Sequence, residues 1–228
     1  MSSPSFYTTE GILLRVTPLG KGDQLILVFT LHEGLMKLVL KKNGREIPAL
    51  LSRVELVYRQ GKNELFKCQE LSVLNHYPAF RRDLKQLLGA CDMLRALEES
   101  QWAGKPAPQL YLLLLDFFEK IVKGRDAELL ALSFRLKLVR LEGVIEIPLT
   151  CSVCGPFSEF PASLWQGELV CALHGPPKVE HANRIDWEEF QLLHKMMFCQ
   201  SYAELADLTL PEGFRAKVEQ FFTFSVQK

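Results

Sequence analysis

Four side chains in the 228-residue sequence have the types and spacing of a metal site. Cys151-x-x-Cys154 is followed, after sixteen intervening residues, by Cys171-x-x-His174. A two-residue gap lets one tight knuckle offer two ligands to one ion, and two such pairs supply the four corners of a tetrahedral zinc. Each pair is followed by a glycine, Gly155 and Gly175, the expected construction of a zinc ribbon. One structural Zn2+ is therefore expected on Cys151, Cys154, Cys171 and His174. The competing reading is that the cysteines form disulfides or stay reduced; the unpaired look of Cys68, Cys91 and Cys199 counts against disulfides. A catalytic zinc is disfavoured, because all four positions are filled and no Glu sits in a His-Glu-x-x-His motif. Cys68, Cys91 and Cys199 read as core filler, and His32, His76, His181 and His194 lack ligand spacing to one another.

The second chemistry is electrostatic. Lys+Arg and Asp+Glu both number 27, but residues 1–80 carry a net +3, residues 81–150 a net +1 and residues 151–228 a net −4. A basic front invites an anionic partner. The candidate phosphate contacts are Arg15, Lys21, Lys37, Lys41, Lys42 and Arg45, and further cations follow at Arg53, Arg59, Lys62 and Lys67. Phe6, Tyr7, Phe29, Tyr58 and Phe66 lie among them. Cations interleaved with aromatic platforms can hold single-stranded nucleic acid by phosphate pairing and base stacking; the competing reading sends most of those aromatics into the core. Arg81, Arg82 and Lys85 form a second patch, where positive charge opposes the dipole of the helix that starts there. Phosphate-binding Gly-x-x-x-x-Gly-Lys-Ser/Thr, dinucleotide Gly-x-Gly-x-x-Gly and nucleophile Gly-x-Ser-x-Gly motifs are missing, and no catalytic residues are expected.

These residues must be positioned by two kinds of element. Glu10–Val16, Gln24–Thr30, Leu35–Leu40, Arg53–Arg59 and Leu65–Leu71 read as five short strands, rich in Val, Ile, Leu and Phe and punctuated by Gly20, Gly22 and Gly34. Five short strands are best closed into a small barrel, which removes the exposed edges; the pattern leaves SH3-like and other five-stranded barrels open. From Pro78 the period changes to three and four: Leu84, Leu87, Leu88, Cys91, Leu94 and Leu97 predict one face of a helix. Helices follow over Tyr111–Val122 and Leu129–Leu141, from Asp186 onward, and from Pro211, which suits the first turn of a last helix. The fold class is α+β, with a barrel domain over 1–78 and an all-helical domain over 79–228, interrupted by a zinc finger over 148–177. The sequence has no run of ~20 apolar residues for a membrane span, and Met1–Thr9 lacks the apolar core of a signal peptide, so a cytoplasmic location away from membranes is expected.

Taken together the motifs resemble a known family. Gly11-Ile12-Leu13-Leu14-Arg15, Gly20-Lys21-Gly22-Asp23-Gln24-Leu25 and Leu27-Val28-Phe29-Thr30 look like the N-terminal signature of RecO, the bacterial recombination mediator of DNA repair. Tyr77-Pro78-Ala79-Phe80-Arg81-Arg82-Asp83-Leu84 continues the pattern, and the Cys-x-x-Cys-Gly knuckle follows the third helix. The resemblance implies an OB-fold barrel, an all-helical domain and an embedded zinc finger. It also implies binding of single- and double-stranded DNA, annealing of complementary strands, and work with RecR to load RecA onto DNA covered by single-strand-binding protein, whose acidic C-terminal tail members contact. Two departures stand out. Residues 43–48, usually more basic, are mixed here, and His174 stands where a Cys is more usual. Two other readings remain: a zinc-containing protein-interaction adaptor without DNA affinity, and a nucleic-acid enzyme with unfamiliar motifs.

Overall fold

The computed structural model describes residues 5–41, 47–61, 65–144, 150–157, 159–165, 168–175 and 184–226. It divides into two compact units, 1–123 and 124–228. In the first unit, β1 (Tyr7–Pro18), β2 (Gln24–Thr30), β3 (Gly34–Leu40), β4 (Arg53–Gln60) and β5 (Phe66–Asn75) close into a barrel in the order β1-β2-β3-β5-β4. The β3–β5 pairing is parallel and the others are antiparallel. That order and the single parallel seam are those of the five-stranded OB-fold, and they decide the choice of barrel that strand pattern alone leaves open. The reason these segments are strands lies in their alternation. Ile26 and Val28, then Met36, Leu38 and Leu40, then Val54, Leu56 and Tyr58 recur every second residue and fill the interior. The long β1 pairs with both β2 and β4, and a bulge between Leu13 and Arg15 inserts Leu14 and bends the strand enough to do so.

The expected boundary at 78/79 falls inside this unit. A 3-10 turn at Pro78–Arg81 leads into α1 (Leu84–Ser100) and α2 (Pro108–Val122). Asp83 caps α1, its Oδ1 accepting from the Lys85 N–H at 2.8 Å and the Gln86 N–H at 3.2 Å. Tyr77, Phe80 and Phe118 pack ring to ring with centroids 5.0–5.4 Å apart, and Tyr111 of α2 meets Phe29 of β2 at 6.2 Å. The linker between the two helices is laid against the β2–β3 hairpin. Gly104 donates its N–H to the Leu35 carbonyl at 3.0 Å. Gly34, at φ +69°, lies so close that a Cβ would stand 1.9 Å from the Lys105 carbonyl oxygen.

The face α1 buries differs from the one its leucines predict. Leu84 and Leu88 are 69% and 56% exposed, whereas Ala90, Met93, Leu94 and Leu97 are buried at i, i+3, i+4 and i+7. Gly89, Ala90 and Ala96 explain the rotation: small residues let the helix come close to its neighbours, and close packing outweighs the count of large apolar side chains.

In the second unit α3 (Ala127–Leu141) is buried on nearly every side. It packs with α4 (Trp187–Phe198) and α5 (Phe214–Val226) through Leu129, Leu132, Leu136, Leu193, Met196, Met197, Val218 and Phe221. Side chains of α3 also take up the loose carbonyls at the end of α4. Ser133 Oγ donates to Met196 O at 2.8 Å, Lys137 Nζ to Cys199 O at 2.5 Å and Arg140 to Met197 O at 3.3 Å. Cations there also suit the negative end of the helix dipole. At its start α4 has a full capping box between Asp186 and Glu189, and Lys217 of α5 holds both Glu189 carboxylate oxygens at 2.6 Å. Pro211 lies just ahead of α5, accepting from the Phe214 N–H at 3.1 Å, rather than in its first turn. A three-stranded sheet in the order β7-β6-β8 completes the unit, from β6 (Ala162–Trp165), β7 (Glu168–Val170) and β8 (Arg184–Ile185). Among the described residues no helix is long and apolar enough to cross a membrane.

Candidate functional site

Two turns and one strand bring the four metal-type residues together. The first knuckle is closed by Cys151 N–H to Gly155 O at 2.7 Å and Gly155 N–H to Cys151 O at 2.9 Å. Gly155 sits at φ +85°, where a side chain would be strained. The second knuckle follows β7 directly and is closed by the His174 and Gly175 N–H groups on Cys171 O at 3.0 and 2.9 Å. The Cys171 N–H donates to Cys151 Sγ at 3.3 Å, tying one knuckle to the other.

The donor atoms of Cys151, Cys154, Cys171 and His174 all lie within 4.8 Å of one another. Tetrahedral zinc, with bonds of ~2.3 Å to sulfur and ~2.0–2.1 Å to nitrogen, places two sulfurs about 3.8 Å apart and a sulfur and nitrogen about 3.6 Å apart. Cys154 Sγ and Cys171 Sγ are 3.8 Å apart, and His174 Nδ1 lies 3.8 Å from Cys151 Sγ and 3.1 Å from Cys171 Sγ. A disulfide needs ~2.05 Å between sulfurs, far shorter than the separation of Cys154 and Cys171. The donor set therefore fits a zinc ion, with His174 presenting Nδ1. The thiols are also graded. Burial works against ionisation of Cys151, but the backbone N–H groups of Cys171, Cys154 and Val153 outweigh it and draw the thiol down to about 6. At Cys154 the hydrogen bond to Cys151 leads, and the thiol is pushed up to about 11. Backbone N–H groups thus favour the thiolate of Cys151, while neighbouring thiols disfavour that of Cys154.

An aromatic layer, which the ligand spacing does not reveal, supports the cluster. Phe157 packs on Cys151, Val170 and Cys171 and also on the helical core. Its ring meets Phe160 at 5.4 Å and Phe190 at 5.1 Å, and Trp187 stacks on Phe190 at 5.9 Å. The repeated i, i+3 aromatic pairs, 157/160 and 187/190, are the signal in the sequence that would have pointed to it.

The candidate phosphate contacts are more dispersed. Lys37, on the outward face of β3, and Lys41, just beyond its end, are exposed and, among the described residues, have no acidic partner. Arg15 on β1 is exposed but paired with Glu98 of α1 at 2.7 Å. Lys21 lies in the 3-10 turn Gly20–Gly22, and Lys42 and Arg45 lie outside the described residues. Phe29 and Tyr58 are buried, as core residues, while Phe6 and Tyr7 are exposed. Arg81, Arg82 and Lys85 form an exposed patch at the start of α1, beside the capping carboxylate of Asp83.

Comparison with known proteins bears on what such a chain is. Residues 81–224 match the family model described as Recombination protein O C terminal. The chain is 29% identical over 218 residues to the DNA repair protein RecO of Chlamydia pneumoniae, covering 93% of this chain and 84% of that protein. It is 30% identical over 178 residues to the protein of the same name from Pelotomaculum thermopropionicum, covering 73% and 68%. With DNA repair protein RecO of Chlamydia trachomatis serovar D it shares 24% identity over 225 residues, 95% and 90% of the two chains. With an OB-type barrel ahead of the matched helical region and similarity running through both, the chain belongs to the RecO family.

Proposed function

We propose that this protein is a DNA-binding recombination mediator in DNA repair, acting by binding rather than by catalysis. In this reading it binds single- and double-stranded DNA without sequence preference and anneals complementary strands. With RecR it helps load RecA onto DNA covered by single-strand-binding protein, and the helical part receives that protein's acidic tail. The observation that carries the proposal is the pairing of family membership with an OB-fold barrel that presents Lys37 of β3, and Lys41 just beyond it, to solvent without acidic partners among the described residues. Cations of this kind neutralise phosphates on two strands at once, which lowers strand repulsion and raises local concentration, so pairing becomes fast. The zinc ion on Cys151, Cys154, Cys171 and His174 supplies a fixed cross-link for the insert between α3 and α4.

The test is an annealing assay with complementary oligonucleotides, bare and covered by single-strand-binding protein. The protein should accelerate annealing in both cases and leave the DNA covalently unchanged. No DNA binding would point to a protein-interaction adaptor, and cleavage or joining of strands to an enzyme.

A further inference from the structure

The wall of the barrel where β3, β5 and β4 meet holds a cavity of about 190 Å³. It is lined by Val39, Leu40, Lys41, Arg59, Lys67 and Gln69, with Cys68 beneath. We propose that this cavity is a subsite for one phosphodiester group of a nucleic-acid strand, held by Lys41, Arg59 and Lys67. The proposal rests on the DNA-binding reading and deepens it, because it assigns Arg59 and Lys67 to the interface and puts the backbone on the β3–β5–β4 side of the barrel.

The cavity has a structural origin. The parallel β3–β5 pairing runs only from Leu38–Phe66 to Leu40–Cys68, where β3 ends, while β5 continues to Asn75. On the other side of β5 the register to β4 shifts between Val57 and Tyr58, leaving Gln69 as the extra residue of a bulge. Bulges re-aim side chains, and this one falls where three cations converge. Ligand pockets for whole drug-sized molecules run to ~300–1,000 Å³. This one is too small for a nucleotide and suits a single tetrahedral oxyanion.

Three features of the free protein then have one explanation. Arg59 and Lys67 stand directly opposite each other across the β4–β5 ladder, an arrangement of like charges that destabilises a sheet. Among the described residues neither they nor Lys41 has an acidic partner. Arg59 Nε is buried without a hydrogen-bond acceptor, although buried donors are nearly always satisfied. A phosphate oxygen supplies that acceptor and its charge cancels the repulsion. Arginine and lysine together also suit the ligand, a planar fork beside a mobile point charge. Val39 and Leu40 add apolar surface to a lining that is otherwise mostly polar.

The experiment uses the full chain and the Arg59→Gln/Lys67→Gln double variant. Affinity for a dT oligonucleotide is measured by fluorescence anisotropy over a range of salt, and the melting temperature with and without inorganic phosphate. The variant should bind dT more weakly, with a slope of log affinity against log salt shallower by roughly 0.7 for the phosphate lost. It should melt no lower than the parent, because a like-charge pair has gone, and phosphate should no longer raise its melting temperature. Parental affinity and slope in the variant would overturn the subsite and leave DNA binding by the rest of the barrel standing. A variant that loses only the response to inorganic phosphate would make the cavity a free-phosphate site and overturn the nucleic-acid assignment. A parent that binds no DNA would overturn the underlying reading of function, and the phosphate arm would then show whether the cavity takes an anion at all.

Discussion

Cys171 does two things at once: its thiol is one of the four metal-type donors, and its backbone N–H steadies the sulfur of Cys151. The residues are therefore coupled, and removing one should affect all. Protein isolated without added metal should contain one zinc per chain by elemental analysis, and Cys154→Ser should abolish it. A zinc content near zero in the folded parent would remove the metal from this account. Because ligand thiols must be deprotonated, acid should release the ion. A second residue-scale prediction concerns Glu189. Its carboxylate is 7% exposed and is held by Lys217, itself 17% exposed. Breaking a buried pair from one side leaves an uncompensated charge, so Glu189→Ala should destabilise the protein by roughly 3–5 kcal/mol in urea unfolding. Glu189→Leu combined with Lys217→Met should recover the part of that loss due to the unpaired charge, leaving the smaller cost of the capping bond from the Asp186 N–H.

At the level of elements, the contact between the β2–β3 hairpin and the α1–α2 linker shows why the barrel does not end where its strands end. Gly34 permits both the left-handed turn and the approach of the Lys105 carbonyl. Gly34→Ala should destabilise by at least about 2 kcal/mol, since the left-handed conformation alone costs about 1–2 kcal/mol for a residue with a Cβ and the clash is with backbone. Calorimetry and far-UV circular dichroism would measure it; an unchanged melting temperature would mean the linker is not pinned there. The glycine at 34 was readable as a turn signal between two strands. Its second role was not, because the partner lies about 70 residues away in sequence and no local pattern encodes that contact. The rotated face of α1 has the same character. Counting leucines predicts Leu84 and Leu88 inward, whereas the closeness allowed by Gly89, Ala90 and Ala96 turns them to solvent.

For the whole molecule, the division into units 1–123 and 124–228 separates the two chemistries. Chelation should therefore act locally. Hydrogen exchange should quicken over residues 150–175 and at the start of α4, where Phe157 joins the cluster to the helical core, while β1–β5 keep their protection. Equal loosening of the barrel would contradict two separate cores. DNA binding should depend on the first unit. Replacing Lys37 and Lys41 by Ala should weaken binding about equally for unrelated oligonucleotides and make the salt dependence shallower, because counterion release, not base reading, supplies the affinity. Sequence-selective losses would argue for base contacts instead.

Local chemistry was legible in the order of residues. The two knuckles, the alternation of Met36, Leu38 and Leu40, the Asp186–Glu189 cap and the helix of α3 all follow from spacings of two to four residues, over which backbone geometry alone fixes what faces what. The donor set could thus be named before any coordinate was known. Tertiary structure alone decided the rest: the parallel β3–β5 seam that makes the barrel an OB-fold, the packing of α1 and α2 into one compact unit with the barrel, the pairing of Arg15 with Glu98, and the cavity where Arg59 and Lys67 oppose each other. Each of these depends on which distant surfaces pack together, and that is set by the shape and volume of whole faces, which a linear pattern of residue types does not specify.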